Sequence, residues 1–81
     1  MDSPVTALAA AVRRRRTALG LTQGELADLA DCSERFVYML ERGKRSIQLA
    51  KTLDVLRVLG LGLRVVSGAG TIVDEGPGMS S

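Results

Sequence analysis

The feature that most constrains this fold is a pair of helix starts set close together in the stretch GLTQGELADLADCSERFVYMLERGKRS, Gly20 to Ser46. Thr22 is followed three residues later by Glu25, the pattern of a capping box, in which each side chain accepts a hydrogen bond from the other residue's backbone N–H. Ser33 is a second N-cap, and Glu34 lies favourably in the positive first turn of the helix that begins there. The stretch therefore predicts two short helices separated by a tight turn, with Gly43 as the end of the second.

Apolar residues at helical spacing flank this pair on both sides. Ser3 and Pro4 predict the start of a first helix and Gly20 its end, whereas Ser46 predicts the start of a last helix and Gly60 its end. The apolar face of the first helix is predicted from Val5, Leu8, Val12 and Leu19, with Ala9 and Ala11 filling in. The apolar face of the last helix is predicted from Leu49, Leu53, Leu56 and Leu59. Inside the central pair, the predicted core residues are Leu26, Leu29, Ala30, Val37 and Leu40.

After Gly60, the apolar residues Leu61, Leu63 and Val65 alternate with the residues at 62, 64 and 66. This two-residue period predicts a β strand. A single strand leaves its backbone groups unpaired, so we expect it to pair with its two-fold mate as an antiparallel ribbon in a homodimer. The residues expected at this dimer interface are Leu56, Leu59, Leu61, Leu63 and Val65. Residues 67–81 are rich in Gly and Ser and are expected to be a flexible tail on a domain of residues 1–66.

Composition narrows the classes of function. The chain has one cysteine, Cys32, and no histidine, so an internal disulfide is excluded and the commonest general base and metal ligand is missing. No cluster has metal-ligand spacing, and we propose no catalytic site, metal or cofactor. The arginine run at 13–16 precedes a polar segment, so we expect no membrane span and a cytoplasmic location. The first 66 residues carry eleven basic and seven acidic side chains, which fits either a polyanionic partner or a solvated basic face.

The central pair resembles the helix-turn-helix of phage repressors and of the XRE family of bacterial regulators. The matching residues are Thr22, Gln23, Glu25, Leu26, Ala27, Ser33, Val37, Leu40, Glu41, Gly43 and Lys44. The resemblance implies a mainly α fold of four, or five, helices of the lambda-repressor type, with Arg16 of the first helix paired with Glu41. Asp31 departs from the glycine usual in the turn, although Asp tolerates a left-handed backbone better than most residues.

A helix-turn-helix protein places its second helix in the DNA major groove, and here that helix runs from Ser33 to Arg42. With Val37 and Leu40 facing inward, the candidates for base contacts are Ser33, Glu34, Arg35, Tyr38 and Met39. Gln23, by resemblance and by its place at a helix N-terminus, is a candidate for a phosphate contact. Further candidates on the same DNA strand are Arg42, Lys44, Arg45 and Ser46. The role of Arg13, Arg14 and Arg15 is left open between solvated charge and backbone contact.

The order of elements is most similar to that of HipB-type antitoxins. This resemblance implies a dimeric autorepressor that binds a palindromic double-stranded DNA operator and a HipA-like kinase toxin. A stand-alone XRE-type regulator shares the fold and is the alternative. A third interpretation is a protein-interaction module whose basic face binds an acidic protein rather than DNA.

Overall fold

The computed structural model describes residues 4–44 and 47–64. These residues form four α helices: α1 (Pro4–Ala18), α2 (Gln23–Ala30), α3 (Glu34–Glu41) and α4 (Leu49–Leu59). The mainly helical architecture is confirmed, and the described ranges contain no fifth helix. In the described part of the predicted strand, residues 61–63 have no regular secondary structure and Arg64 is a single β-bridge residue, so no strand forms there. Val65, Val66 and the proposed tail lie outside the described residues, so the strand pairing and the domain boundary at residue 66 stay predictions.

Side chains cap the two central helices as the sequence predicts. Thr22 Oγ1 accepts from the N–H of Glu25 at 3.0 Å, and a Glu25 carboxylate oxygen accepts from the N–H of Thr22 at 2.8 Å. Ser33 Oγ accepts from the N–H of Phe36 at 3.0 Å. The prediction that Ser46 caps the last helix is wrong, because the N-cap of α4 is Gln48, which makes no side-chain cap. Ile47, in the segment before α4, packs against the core.

All four helices end in the same backbone motif. A residue with positive φ follows each helix, and the next N–H reaches back five residues to a carbonyl of the last turn, as in a Schellman motif. The four left-handed residues are Gly20, Asp31, Gly43 and Gly60. The corresponding N–H···O distances are 3.1, 2.9, 3.1 and 2.8 Å, donated by Leu21, Cys32, Lys44 and Leu61. The glycine stops are confirmed, and Asp31 (φ 57°) adopts the left-handed conformation expected of the turn.

One hydrophobic core lies between the four helices. The predicted core residues that are buried are Leu8, Ala9, Ala11, Val12, Leu26, Ala30, Val37, Leu40, Leu56 and Leu59. Four predictions are wrong, because Leu19, Leu29, Leu49 and Leu53 are exposed by 46, 62, 64 and 41%. The inward face of α4 is formed instead by Thr52 and Val55 together with its last two leucines, and Ala27 takes the inward place in α2. Val5 is half-buried.

Three of the residues predicted for a dimer interface are covered by their own chain. Leu56 and Leu59 are each 1% exposed, and Leu61 is 8% exposed. Leu63 is half-buried and packs against the same core, while Val65 lies outside the described residues. A single chain does not test the dimer, which stays a proposal. Of the described helices, none has the length and apolar content needed to cross a membrane.

Candidate nucleic-acid interface

One side of helix α3 packs into the core and the opposite side is exposed. Val37 and Leu40 are 0 and 1% exposed and pack into the core against α1 and α2. Because a helix repeats every 3.6 residues, this places the outer face of α3 around Arg35 and its neighbours. Ser33, Glu34 and Arg35 are exposed, Tyr38 is 46% exposed, and Met39 is half-buried. The five candidates for base contacts therefore lie on or beside one outward-facing surface, which is the surface that the sequence predicts.

A bidentate ion pair fastens the C-terminal end of α3 to α1, as the resemblance implies. Arg16 donates from Nε to Glu41 Oε2 at 2.6 Å and from Nη2 to Glu41 Oε1 at 3.0 Å. The side chains are only 14 and 5% exposed. A third bond runs from Arg16 Nη1 to the carbonyl oxygen of Leu21 at 2.8 Å, in the turn before α2. The hydrogen bond to Glu41 raises the pKa of Arg16 above its ordinary value, opposing the effect of burial, so the guanidinium remains charged.

Gln23 shares this network. Its Nε2 donates to Glu41 Oε1 at 3.1 Å, so the side chain predicted to bind a phosphate is held at the junction of α2 and α3. The capping box uses the N–H of Glu25, whereas the N–H groups of Gln23 and Gly24, which precede it in the first turn of α2, have no acceptor within the helix. The carboxylate of Glu34 lies close by, since a Cβ built on Gly24 would be 3.6 Å from its carboxyl carbon. The first turn of α2 and the first turn of α3 thus meet at one edge of the surface.

Two open clefts flank the outer face of α3. The α1–α3 cleft, of about 250 Å³, is lined by Arg13, Arg16, Gln23, Tyr38, Glu41 and Arg42. Within it the guanidinium of Arg42 lies over the ring of Tyr38, 5.7 Å from the ring centre. This stacking favours a defined position for a cation that would otherwise be free to rotate.

The α3–α4 cleft, of about 300 Å³, lies on the other flank. Its lining residues are Ser33, Arg35, Phe36, Met39, Lys44, Ile47, Gln48 and Lys51. The ammonium group of Lys51 lies over the ring of Phe36, 6.0 Å from the ring centre. None of these lining residues is acidic, so the cleft has a net positive charge of three.

The structure thus divides the predicted phosphate contacts between two places. Gln23 and Arg42 line the α1–α3 cleft, whereas Lys44 lines the α3–α4 cleft. Arg45 and Ser46 lie outside the described residues. The sequence alone assigns no definite role to Arg13 and none to Lys51. For Arg13 a signal was present, because it lies three residues before Arg16 and so on the same side of α1.

The remaining arginines of the run differ in role. Arg15 Nε donates to the carbonyl oxygen of Leu59 at 2.9 Å, so it satisfies a carbonyl at the C-terminal end of α4 and links α1 to that helix. Arg14 is exposed. Within the described ranges, no group of three or more His, Cys, Asp or Glu side chains could hold a metal ion. Cys32 is half-buried, and burial raises the pKa of its thiol, with the charge of Lys51 acting in the opposite direction.

Comparison with known proteins identifies the family. A profile described as helix-turn-helix matches residues 12–66. The chain is 38% identical over 60 residues to y4mF of Sinorhizobium fredii, an HTH-type transcriptional regulator, and the match covers 74% of this chain and 79% of that protein.

Two solved structures of the clp gene regulator ClgR from Corynebacterium glutamicum are also similar. Each superposes with a TM-score of 0.64 at 32% identity over 73% of this chain. The present chain covers 63% of one of these ClgR chains and 76% of the other. The helix-turn-helix geometry and these matches together show that the chain belongs to the XRE family of helix-turn-helix proteins.

Proposed function

We propose that this protein is a sequence-specific DNA-binding regulator of transcription that reads the major groove with α3. The observation that supports this most directly is the outer face of α3, which carries polar side chains and is bordered by two basic clefts, in a helix that the Arg16–Glu41 ion pair holds at its C-terminal end. The relatives named above are transcriptional regulators. A major groove about 12 Å wide admits one such helix.

The side chains of this face suit different base edges. Arg35 matches the O6 and N7 acceptors of guanine as a bidentate donor, and Glu34 is an acceptor for the N4 amino group of cytosine. The ring of Tyr38 or the thioether of Met39 is suited to contact with a thymine methyl group, with Ser33 as a further polar contact. Arg45 and Ser46 complete the phosphate contacts proposed for Gln23, Arg42 and Lys44.

Arg35 and Lys44 test the division between base and phosphate contacts. We expect Arg35→Ala to cost about 1–3 kcal/mol on the preferred duplex and to flatten the preference at one base position. Lys44→Ala should weaken binding to all sequences about equally and lower the salt slope by roughly 0.9, the contribution of one phosphate. Fluorescence anisotropy on a duplex selected from a random pool, and on a scrambled duplex, measures both effects.

Arg57 provides the matched control for these variants. It is a cation on α4 whose side chain is 81% exposed, and it lines neither cleft. Arg57→Ala should leave specificity and salt slope unchanged. Equal losses for Arg35→Ala on selected and scrambled duplexes would contradict base recognition by Arg35. Failure of the wild-type chain to enrich any sequence would refute the proposed function and favour a protein-interaction module.

A homodimer is part of this proposal, because one recognition helix contacts too few base pairs to select a site from a genome. Two inverted half-sites about 34 Å apart, or a multiple of that distance, are then expected. Among the described residues of the proposed interface, Leu63 is the one that the core does not fully cover. Ending the chain after Gly60, or replacing Val65 with Pro, should give a monomer in light scattering and greatly weaken operator binding. A truncated chain that remains a tight dimer would place the interface on the helices.

The finer proposal is that the regulator is an autoregulating antitoxin of the HipB type with a HipA-like kinase toxin as its partner. Its support is the order of four helices followed by a non-helical segment at 61–63, an order similar to that of HipB-type antitoxins. Co-expression with the tagged product of a neighbouring kinase-like gene is the test. Co-purification together with tighter operator binding supports the antitoxin role, whereas no co-purification with any neighbouring product leaves the stand-alone regulator.

A further inference from the structure

The two clefts beside α3 are separate sites on opposite flanks of one helix. No residue lines both of them. From α3 and its C-cap, Tyr38, Glu41 and Arg42 face the α1–α3 cleft, whereas Arg35, Phe36 and Met39 face the α3–α4 cleft. At 100° per residue these two sets fall on opposite sides of the axis that runs from the buried Val37 and Leu40 to the outer face.

Both clefts present cations that the described residues leave unneutralised. In the α1–α3 cleft the charge of Glu41 is taken by Arg16, and Arg13 and Arg42 remain. In the α3–α4 cleft Lys44, Lys51 and Arg35 have no acidic neighbour in the lining. Among the described residues, neither Arg13 nor Lys51 belongs to an ion pair. The aromatic rings of Tyr38 and Phe36 each support one of these cations.

The dimensions of DNA relate this pair of clefts to the two strands. An α helix with its side chains is about 10–12 Å across, close to the roughly 12 Å width of the major groove. A helix inserted in the groove therefore has the phosphates of one strand along one flank and those of the other strand along the opposite flank. A separate cationic cleft on each flank matches this arrangement, whereas contacts with the phosphates of only one DNA strand would need only one cleft.

We propose that the α1–α3 cleft, through Arg13, and the α3–α4 cleft, through Lys51, bind phosphates of opposite DNA strands. The inference rests on the proposed function and deepens it. It adds α1 and α4 to the DNA-binding surface, and it revises the expectation that Gln23, Arg42 and Lys44 all contact the same strand. Gln23 and Arg42 belong with Arg13, and Lys44 belongs with Lys51.

Phosphate ethylation interference, read separately on each strand of a duplex selected by the wild-type protein, tests this proposal. Arg13→Gln should abolish interference at phosphates of one strand only, and Lys51→Gln should abolish it at phosphates of the other strand only. Each variant should also lower the salt slope by roughly 0.9. Glutamine keeps a long side chain in each cleft, and an unchanged urea midpoint establishes that the variants are folded. Arg57→Gln is the matched control and should alter neither strand.

The outcomes separate this inference from the proposed function. If the wild-type protein selects a duplex but both variants lose interference on the same strand, or neither variant changes the pattern, the two-strand assignment is wrong and the regulator remains. If the wild-type protein selects no duplex, the proposed function is refuted and the assignment of the clefts is refuted with it. Loss on different strands, with Arg57→Gln unaffected, supports the proposal.

Discussion

Replacing Glu41 with Leu should destabilise the protein by about 3 kcal/mol, although leucine places apolar surface where the side chain is only 5% exposed. The change removes both bonds from Arg16, at 2.6 and 3.0 Å, and the bond from Gln23 at 3.1 Å. Removing one partner of a buried ion pair costs about 3–5 kcal/mol, because the other charge is left uncompensated. We expect the lower end, since Arg16 is 14% exposed and keeps its bond to the carbonyl oxygen of Leu21.

This loss is large for a chain of 81 residues. At about 0.05–0.15 kcal/mol per residue, its whole free energy of unfolding is on the order of 4–12 kcal/mol. Urea denaturation followed by far-ultraviolet circular dichroism should therefore show a clear decrease in the midpoint, or an unfolded protein at the low end of this range. Arg16→Met should have a similar effect, because it leaves the carboxylate of Glu41, 5% exposed, with Gln23 as its donor.

The double variant tests whether the broken ion pair causes the loss of stability in the single variants. Replacing both partners by apolar residues removes the uncompensated charge, so Arg16→Met with Glu41→Leu should cost less than about 2 kcal/mol, against roughly 6 for the sum of the single changes. Asp54 and Arg57 form the matched exposed pair, 3.8 Å apart with side chains 50 and 81% exposed, and their coupling should not exceed about 0.5 kcal/mol. Additive losses at Arg16 and Glu41 would refute the reasoning.

Further predictions concern the helix caps, the left-handed turn residues and the thiol of Cys32. Thr22→Ala should lower the free energy of unfolding by about 1 kcal/mol in urea denaturation, because it removes the capping box, whereas Thr17→Ala, in the last turn of α1, should have little effect. Asp31→Gly should raise the unfolding midpoint by relieving a left-handed backbone (φ 57°), and Gly43→Ala (φ 76°) should lower it by roughly 1 kcal/mol. Cys32 should react with a disulfide reagent more slowly in the folded chain than in urea, since burial raises the pKa of its thiol. This raised pKa contributes stability to the fold at pH values below the unfolded pKa of the thiol, and the contribution is lost as the pH rises through the folded pKa. Cys32→Ala should therefore reduce the fall in stability at alkaline pH.

Helix caps and stops could be predicted from the sequence because they depend on residues only a few positions apart. The box of Thr22 and Glu25, the cap at Ser33 and the left-handed turn at Asp31 all have their partners within one helical turn. The pairing of Arg16 with Glu41 spans 25 residues and followed from resemblance to a family rather than from local chemistry.

The apolar pattern predicted the core less well. Periodicity identifies one side of a helix, but it does not say which edge of that side meets a neighbour. Leu49 and Leu53 lie at one edge of the apolar side of α4 and are exposed, whereas Thr52, a polar residue, is 1% exposed and donates to the carbonyl oxygen of Gln48 at 2.8 Å. Leu29 is likewise at the edge of α2, where the smaller Ala27 is buried.

The two clefts could not be predicted, because the residues that line each of them come together only in the folded chain. Arg13 and Arg42 line one cleft although they are far apart in sequence, and Lys51 of α4 lines the other together with residues of α3. The outer face of α3 could be predicted, since it follows from the inward positions of Val37 and Leu40 within one helix.

The length of α3 connects the ion pair to DNA recognition. A helix of eight residues is too short to be stable alone in water, so the position in the groove that we propose for Arg35 depends on the core and on the bond between Arg16 and Glu41. Glu41→Leu should therefore weaken DNA binding although Glu41 itself contacts no base, and the Arg16→Met and Glu41→Leu double variant should recover much of that loss. Adding the double change to Arg35→Ala should not restore DNA binding, because Arg35→Ala removes the base contact that we propose. Anisotropy titrations of these variants on one selected duplex distinguish the two effects. A double variant that binds no better than Glu41→Leu alone, despite restored stability, would show that the charge of Arg16 or Glu41 acts on the DNA directly.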